Sequence, residues 1–194
     1  MSIRWIALLA VVLATGCDSL SKGPFAVADV KGLQGDPAWG RVTFHQAEGG
    51  TFIGESIGWR APIATAAADS AAGKTFIRAD INGLPPNRRF GFHIHEKADC
   101  TGDGTGAGGH FNPQNKPHAR YDRPDRHAGD LPNLESNGEG VAVFVFTTEL
   151  LTVAPGPNSV VGRSVVVHAS PDDYSTQPAG NSGPRIACGV IRGE

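Results

Sequence analysis

Six of the seven histidines lie between His93 and His168, in the order His93-x-His95, His110, His118, His127 and His168, and Asp130 follows His127 by three residues. Imidazole nitrogens suit copper and zinc, and one carboxylate oxygen among them favours zinc over a softer ion. The spacing therefore predicts two metals together. His127-x-x-Asp130 completes a three-histidine, one-aspartate set that fills a tetrahedral zinc and leaves no open position, as in structural sites. His93, His95 and His168, with one imidazole shared between the ions, suit copper with an accessible face.

The elements that must position these groups are also legible. In Phe90-Gly91-Phe92-His93-Ile94-His95, apolar residues alternate with period two, as in a strand with one face in a core. Phe90, Phe92 and Ile94 are expected to point inward. His93 and His95 then share the outer face, with Cα atoms roughly 6.5 Å apart, so that both rings reach one ion. Pro113, Pro117 and Pro124 make the stretch to Arg126 a poor helix, which puts His110, His118 and His127 on a loop. A loop with this many ligands is usually ordered by its ion. Ser164-Val165-Val166-Val167-His168 is a β-branched run that reads as a buried strand delivering its last side chain to the site. Taken singly, each histidine reads more readily as a surface or capping residue; all six together do not.

With these residues in view, the chain resembles the copper/zinc superoxide dismutases of the bacterial, exported kind. The matching stretches are Gly91 to Glu96, Gly109 to Pro113, His127 to Leu131, Gly162 to His168 and Gly183 to Ile191, within residues 25 to 192. The resemblance implies an all-β fold, a Greek-key β-barrel or sandwich of about eight antiparallel strands with long metal-binding and active-site loops. It implies copper at His93, His95, His110 and His168, and zinc at His110, His118, His127 and Asp130, with His110 as the bridging imidazolate. Asp172 matches the carboxylate that links a copper ligand to a zinc ligand, here His93 to His118. Arg185 matches the arginine that stabilises the incoming superoxide anion, and His110 the residue that takes up a proton during turnover. Two alternatives are a copper-binding module without turnover and a zinc-only envelope protein; an intact Arg185 argues against the first, and copper occupancy would rule out the second.

Of three cysteines, Cys17 ends a different kind of segment, leaving Cys100 and Cys188 as a pair. The resemblance implies a disulfide between them, against the alternative of two free thiols, and a disulfide needs an oxidising compartment. Arg4 precedes an apolar stretch from Trp5 to Ala14 that is too short to span a bilayer and reads as an export signal. Leu13-Ala14-Thr15-Gly16-Cys17 resembles a bacterial lipoprotein cleavage box. Residues 1–16 are thus expected as a signal peptide, 17–24 as a tether and 25–194 as the enzyme domain, in the cell envelope or periplasm and held to membrane by lipid on Cys17. Ordinary secretion with Cys17 discarded is the alternative. A homodimer is compatible with the resemblance.

The formal charge of −2 offers no broad basic surface for nucleic acid. With 26 glycines, 14 prolines and short β-branched runs between turn residues, the chain reads as all-β. Strands are expected at 25–30, 40–45, 75–81, 90–95, 140–146, 164–168 and 186–191. Gly104-Thr105-Gly106-Ala107-Gly108-Gly109 satisfies G-x-G-x-x-G, yet His110-Phe111-Asn112-Pro113 follows in place of a helix, so a dinucleotide site is declined. Asp99 and Asp103 lack the acidic partners of a calcium loop. His45 is expected to face solvent. The stretch Thr51 to Gly73 exceeds what the resemblance leads one to expect there, and reads as a longer hairpin or a loop. Lys97, Lys116 and Arg120 are the candidates for steering an anion.

Overall fold

The computed structural model describes residues 23–47 and 73–194. The export segment, Cys17 and most of the Thr51–Gly73 stretch lie outside them.

Ten strands follow in order: β1 Phe25–Gly32, β2 Trp39–Gln46, β3 Thr75–Asn82, β4 Arg89–Phe90, β5 Phe92–His95, β6 Leu134–Glu135, β7 Ala142–Thr148, β8 Ser164–His168, β9 Arg185–Val190 and β10 Arg192–Gly193. Eight of them form one antiparallel sheet in the order β5-β8-β9-β1-β2-β3-β7, with β10 added on β1. β4 and β6 pair separately. They close the circle, because β6 packs on β7 at one end of the sheet while β4 runs through Gly91 into β5 at the other. Every expected strand is present. The expected 90–95 strand is split at Gly91, whose N–H donates to Ser170 O at 2.8 Å instead of continuing the ladder. The short strands β4, β6 and β10 were not separable from sequence, because two residues carry no periodicity.

Alternation builds the interior. Ala26, Ala28 and Val30 of β1, Val42 and Phe44 of β2, and Ile77, Ala79 and Ile81 of β3 join Phe144, Val165, Val167 and Ala187 in one buried cluster. Phe92 meets Phe144 edge to face, with centroids 5.2 Å apart. β5 and β8 differ from the other strands in being buried on both faces. Phe92, Ile94, Val165 and Val167 enter the core, while His93, His95, Ser164, Val166 and His168 lie under the loops that cover the opposite face. The outer face expected for His93 and His95 is therefore real but buried, at 0% and 1% exposure. His45 also departs from expectation, being half-buried with its ring 6.4 Å from that of Phe25.

Candidate metal centre

The histidine loop is bound to the free edge of β5 by backbone hydrogen bonds. Ile94 N–H donates to Gly129 O at 3.0 Å, Phe111 N–H to Ile94 O at 2.8 Å, and Glu96 N–H to Gly109 O at 3.0 Å. His93 thereby faces Asp130 and His95 faces His110 as isolated bridge partners. Gly129 is required at this seam, since a Cβ there would run into the Ile94 carbonyl. β8 supplies His168 at the end of its pairing with β5 and β9, where it stands opposite Arg185 beside a register shift.

Two donor groups result: His93, His95, His110 and His168, and His110, His118, His127 and Asp130, each with its ligand atoms within 4.8 Å of one another and all buried. In the second group Asp130 Oδ1 lies 2.8, 3.0 and 3.2 Å from the Nδ1 atoms of His110, His118 and His127. His127 Nδ1 lies 3.5 Å from His110 Nδ1. Donors about 2.0–2.1 Å from a tetrahedral zinc would be roughly 3.4 Å apart, so the set fits that ion with small adjustment. In the first group His95 Nε2 and His168 Nε2 face each other at 3.3 Å, and the buried His93 Nδ1 and His110 Nε2 have no hydrogen-bond partner. Four lone pairs turned toward one another, two of them orphaned, suit a cation and little else.

The remaining ring nitrogens fix the tautomers. His95 Nδ1–H donates to Gly108 O at 2.9 Å and His168 Nδ1–H to Gly183 O at 3.1 Å. His93 Nε2–H donates to Asp172 Oδ2 at 2.9 Å, and His118 Nε2–H to Asp172 Oδ1 at 3.0 Å. Asp172 thus joins one residue of each group. Sequence reading missed what holds Asp172: Asn133 Nδ2 donates to its carbonyl at 3.1 Å, its own N–H donates to Asn133 Oδ1 at 2.8 Å, and Tyr174 N–H donates to Oδ1 at 2.7 Å. No motif signals Asn133, because its partner is 39 residues away.

Arg185 is half-buried, and its guanidinium donates to the carbonyls of Gly104 and Gly108. The glycine-rich segment declined as a nucleotide motif is its cradle, turned by a 3-10 turn at Thr105–Ala107. Gly108 O accepts from both Arg185 and His95, which locks the arginine to the first donor group. Cys100 and Cys188 form a disulfide that ties this loop to β9. Of the candidate steering residues, Lys116 pairs with Asp125 at 2.7 Å and Arg120 with Asp122 at 3.5 Å, so their charges are compensated.

Titration in the metal-free protein follows from this packing. Burial, helped by the His110 charge, lowers His93 to about 3. Burial lowers His168 to about 4 against the pull of its bond to Gly183, with the His110 and Arg185 charges adding to the fall. Burial also opposes charge on His118, but hydrogen bonds to Asp130 and Asp172 outweigh it and raise the group to about 9. Burial would raise both carboxyls, yet the imidazoles around them hold Asp130 and Asp172 well below the usual carboxylate range. Below pH 6.5 the unfolded chain takes up protons that folded His93 and His168 refuse, so stability falls as pH drops. Above it, folded His118 retains a proton that the unfolded chain has lost, a contribution that disappears as pH rises through about 9. Calorimetry in chelator is expected to give a melting temperature that peaks near the histidine reference value of about 6.5 and falls on both sides. A flat profile from pH 5 to 9 would refute this assignment.

A family model for copper/zinc superoxide dismutase matches residues 63–191. The Cu-Zn superoxide dismutase of Yarrowia lipolytica is 45% identical over 129 residues, covering 63% of this chain and 83% of that protein. That of Candida glabrata is 48% identical over 123 residues, covering 60% and 79%. Among solved structures, that of the clock protein EA4 matches with a TM-score of 0.67 at 31% identity, covering 89% of this chain and 96% of the other.

Proposed function

This chain belongs to the copper/zinc superoxide dismutase family, and we propose that it holds copper at His93, His95, His110 and His168 and zinc at His110, His118, His127 and Asp130. Its activity is the dismutation of superoxide to oxygen and hydrogen peroxide, with copper and zinc as cofactors. The observation that carries the site reading is His110, whose Nδ1 lies 2.8 Å from Asp130 while its buried Nε2 is left for the other group.

Copper held by His93, His95, His110 and His168 would supply one-electron exchange with two superoxide ions in turn, giving oxygen and, with two protons, hydrogen peroxide, and zinc held by His110, His118, His127 and Asp130 would supply a fixed positive charge beside the His110 ring. The chain does the rest. His110 is held through Nδ1, so Nε2 is the nitrogen that can take up a proton on the reacting side and deliver it to the reduced substrate. Asp172 keeps the His93 and His118 rings in register, which sets ligand basicity on both sides of His110. Arg185 cannot lose its charge under working conditions. Two of its N–H groups are engaged by Gly104 and Gly108, leaving other donors of the planar fork for the anion.

A purified sample supplied with both ions is expected to take up one of each per chain. Arg185→Ala is expected to lower kcat/KM by about 10- to 100-fold, the scale of one hydrogen bond to a charged group. Metal content should be unchanged, and Arg185→Lys should recover part of the rate because charge survives without the fork. Wild-type turnover in the alanine variant would remove Arg185 from the anion site.

We assign the mature protein to the cell envelope, with residues 17–24 as a tether, 25–194 as the enzyme domain and lipid on Cys17. Arg4, the Trp5–Ala14 apolar core and the cysteine at position 17 support this reading. Mass spectrometry of the exported protein should find a lipid-modified Cys17 at its N-terminus. Light scattering on the delipidated domain would show whether it pairs with a second copy.

A further inference from the structure

Asp130 organises much of the histidine loop from within, its Oδ2 accepting the backbone N–H of His127 at 3.1 Å and of Ala119 at 3.2 Å. His118 is gripped from elsewhere. Its backbone N–H donates to Gln177 Oε1 at 2.9 Å, and its carbonyl accepts from Gln177 Nε2 at 2.6 Å, across 59 residues. Its ring donates to Asp172, on the same loop as Gln177. The turn that presents Gln177 is itself well braced: Asp173 Oδ1 accepts the N–H groups of Ser175 and Thr176, Asp173 N–H donates to Gly180 O, and Gly180 N–H to Thr176 O. Gly180 has a positive φ of 67°, and a Cβ there would strike both Asp172 Oδ1 and His118 Nε2, so glycine lets the turn close directly over that contact.

We propose that Gln177 is a positioning residue for zinc, seating the ligand His118 by a two-bond amide clamp on its backbone and so coupling zinc occupancy to the order of the 171–184 loop. The proposal rests on the reading of His118 as a zinc ligand. A primary amide suits the task because it places a donor and an acceptor side by side, matching one backbone N–H and one C=O. The Gln177 side chain is exposed while His118 is buried, at 2% exposure. Gln177 therefore adds little to the core and acts through the ligand it holds. Coupling of this kind is reciprocal: if the clamp tightens zinc, zinc tightens the clamp by the same factor.

The test loads metal-free protein with zinc alone and compares wild type, Gln177→Ala and Gln177→Glu by zinc release to a chelator and by hydrogen exchange at the His118 amide. Zinc is expected to leave about tenfold faster from the alanine variant, the lower range for a lost partner of a metal ligand. The glutamate variant should be at least as fast, since its second oxygen meets the His118 carbonyl with an acceptor. The His118 amide should exchange faster in both, and zinc should protect amides of 171–184 less than in wild type. Metal-free melting temperatures should stay within about 2 °C, as for surface substitutions. Zinc release within about twofold of wild type in both variants overturns the proposal, whatever happens to the melting temperature. His118→Ala serves as a separate control: wild-type zinc release in that variant would defeat the ligand assignment itself.

Discussion

His110→Ala is expected to cost the protein both metal sites at once, with superoxide turnover falling by at least about a hundredfold and zinc affinity falling with it. The scale follows from losing a ligand outright, where loss of an outer partner alone costs about 10- to 100-fold. No neighbour can substitute. Nδ1 of His110 contacts Asp130 at 2.8 Å and Nε2 belongs to the group of His93, His95 and His168, so one deletion opens both shells. His168→Ala separates the effects, since His168 belongs to the first group only. That variant should keep zinc and lose copper and activity. The measurement is metal content per chain with a superoxide assay on each variant. A His110→Ala protein that keeps zinc as tightly as wild type would show that the ring does not bridge the two groups.

Reducing the Cys100–Cys188 bond is expected to lower the melting temperature of the metal-free protein by roughly 10–15 °C. The cross-link spans 88 residues, for which the chain-entropy model gives about 4.5 kcal/mol, and each kcal/mol moves a domain of this size by about 2–4 °C. The bond also has a local effect. Cys188 packs with Ala107 and Val166, and Ala107 lies between the two glycines whose carbonyls hold Arg185. Reduction should therefore loosen the arginine cradle and slow turnover of the metal-loaded enzyme. The stability loss should shrink when both ions are bound, because the ligands then hold the same loop. Calorimetry with and without reductant, on metal-free and loaded protein, reads all of this. A metal-free melting point indifferent to reductant would refute the stability claim.

Residue chemistry and short-range periodicity were enough to nominate the donors, and the sequence by itself determined that much. Imidazoles and one carboxylate at 93, 95, 110, 118, 127, 130 and 168 carry their preference for copper and zinc wherever they are folded. Alternation in 92–95 and the β-branched run 164–168 told which strands would bear them, because side-chain direction along a strand is a local property. Tertiary structure alone decided the rest. Which nitrogen of each ring is left for a metal depends on where the other donates, to Gly108, Gly183 or Asp172. The burial of His93 and His95 on a face that alternation makes an outer one comes from loops docking on β5. The glycine run became a cradle for Arg185 because the fold brings the Gly104 and Gly108 carbonyls to its guanidinium across 81 and 77 residues. Asn133 and Gln177 carry no signal of their own, since an amide matters here only through backbone groups 39 and 59 residues away. Such long-range pairings depend on how the whole barrel closes, and no local pattern encodes them.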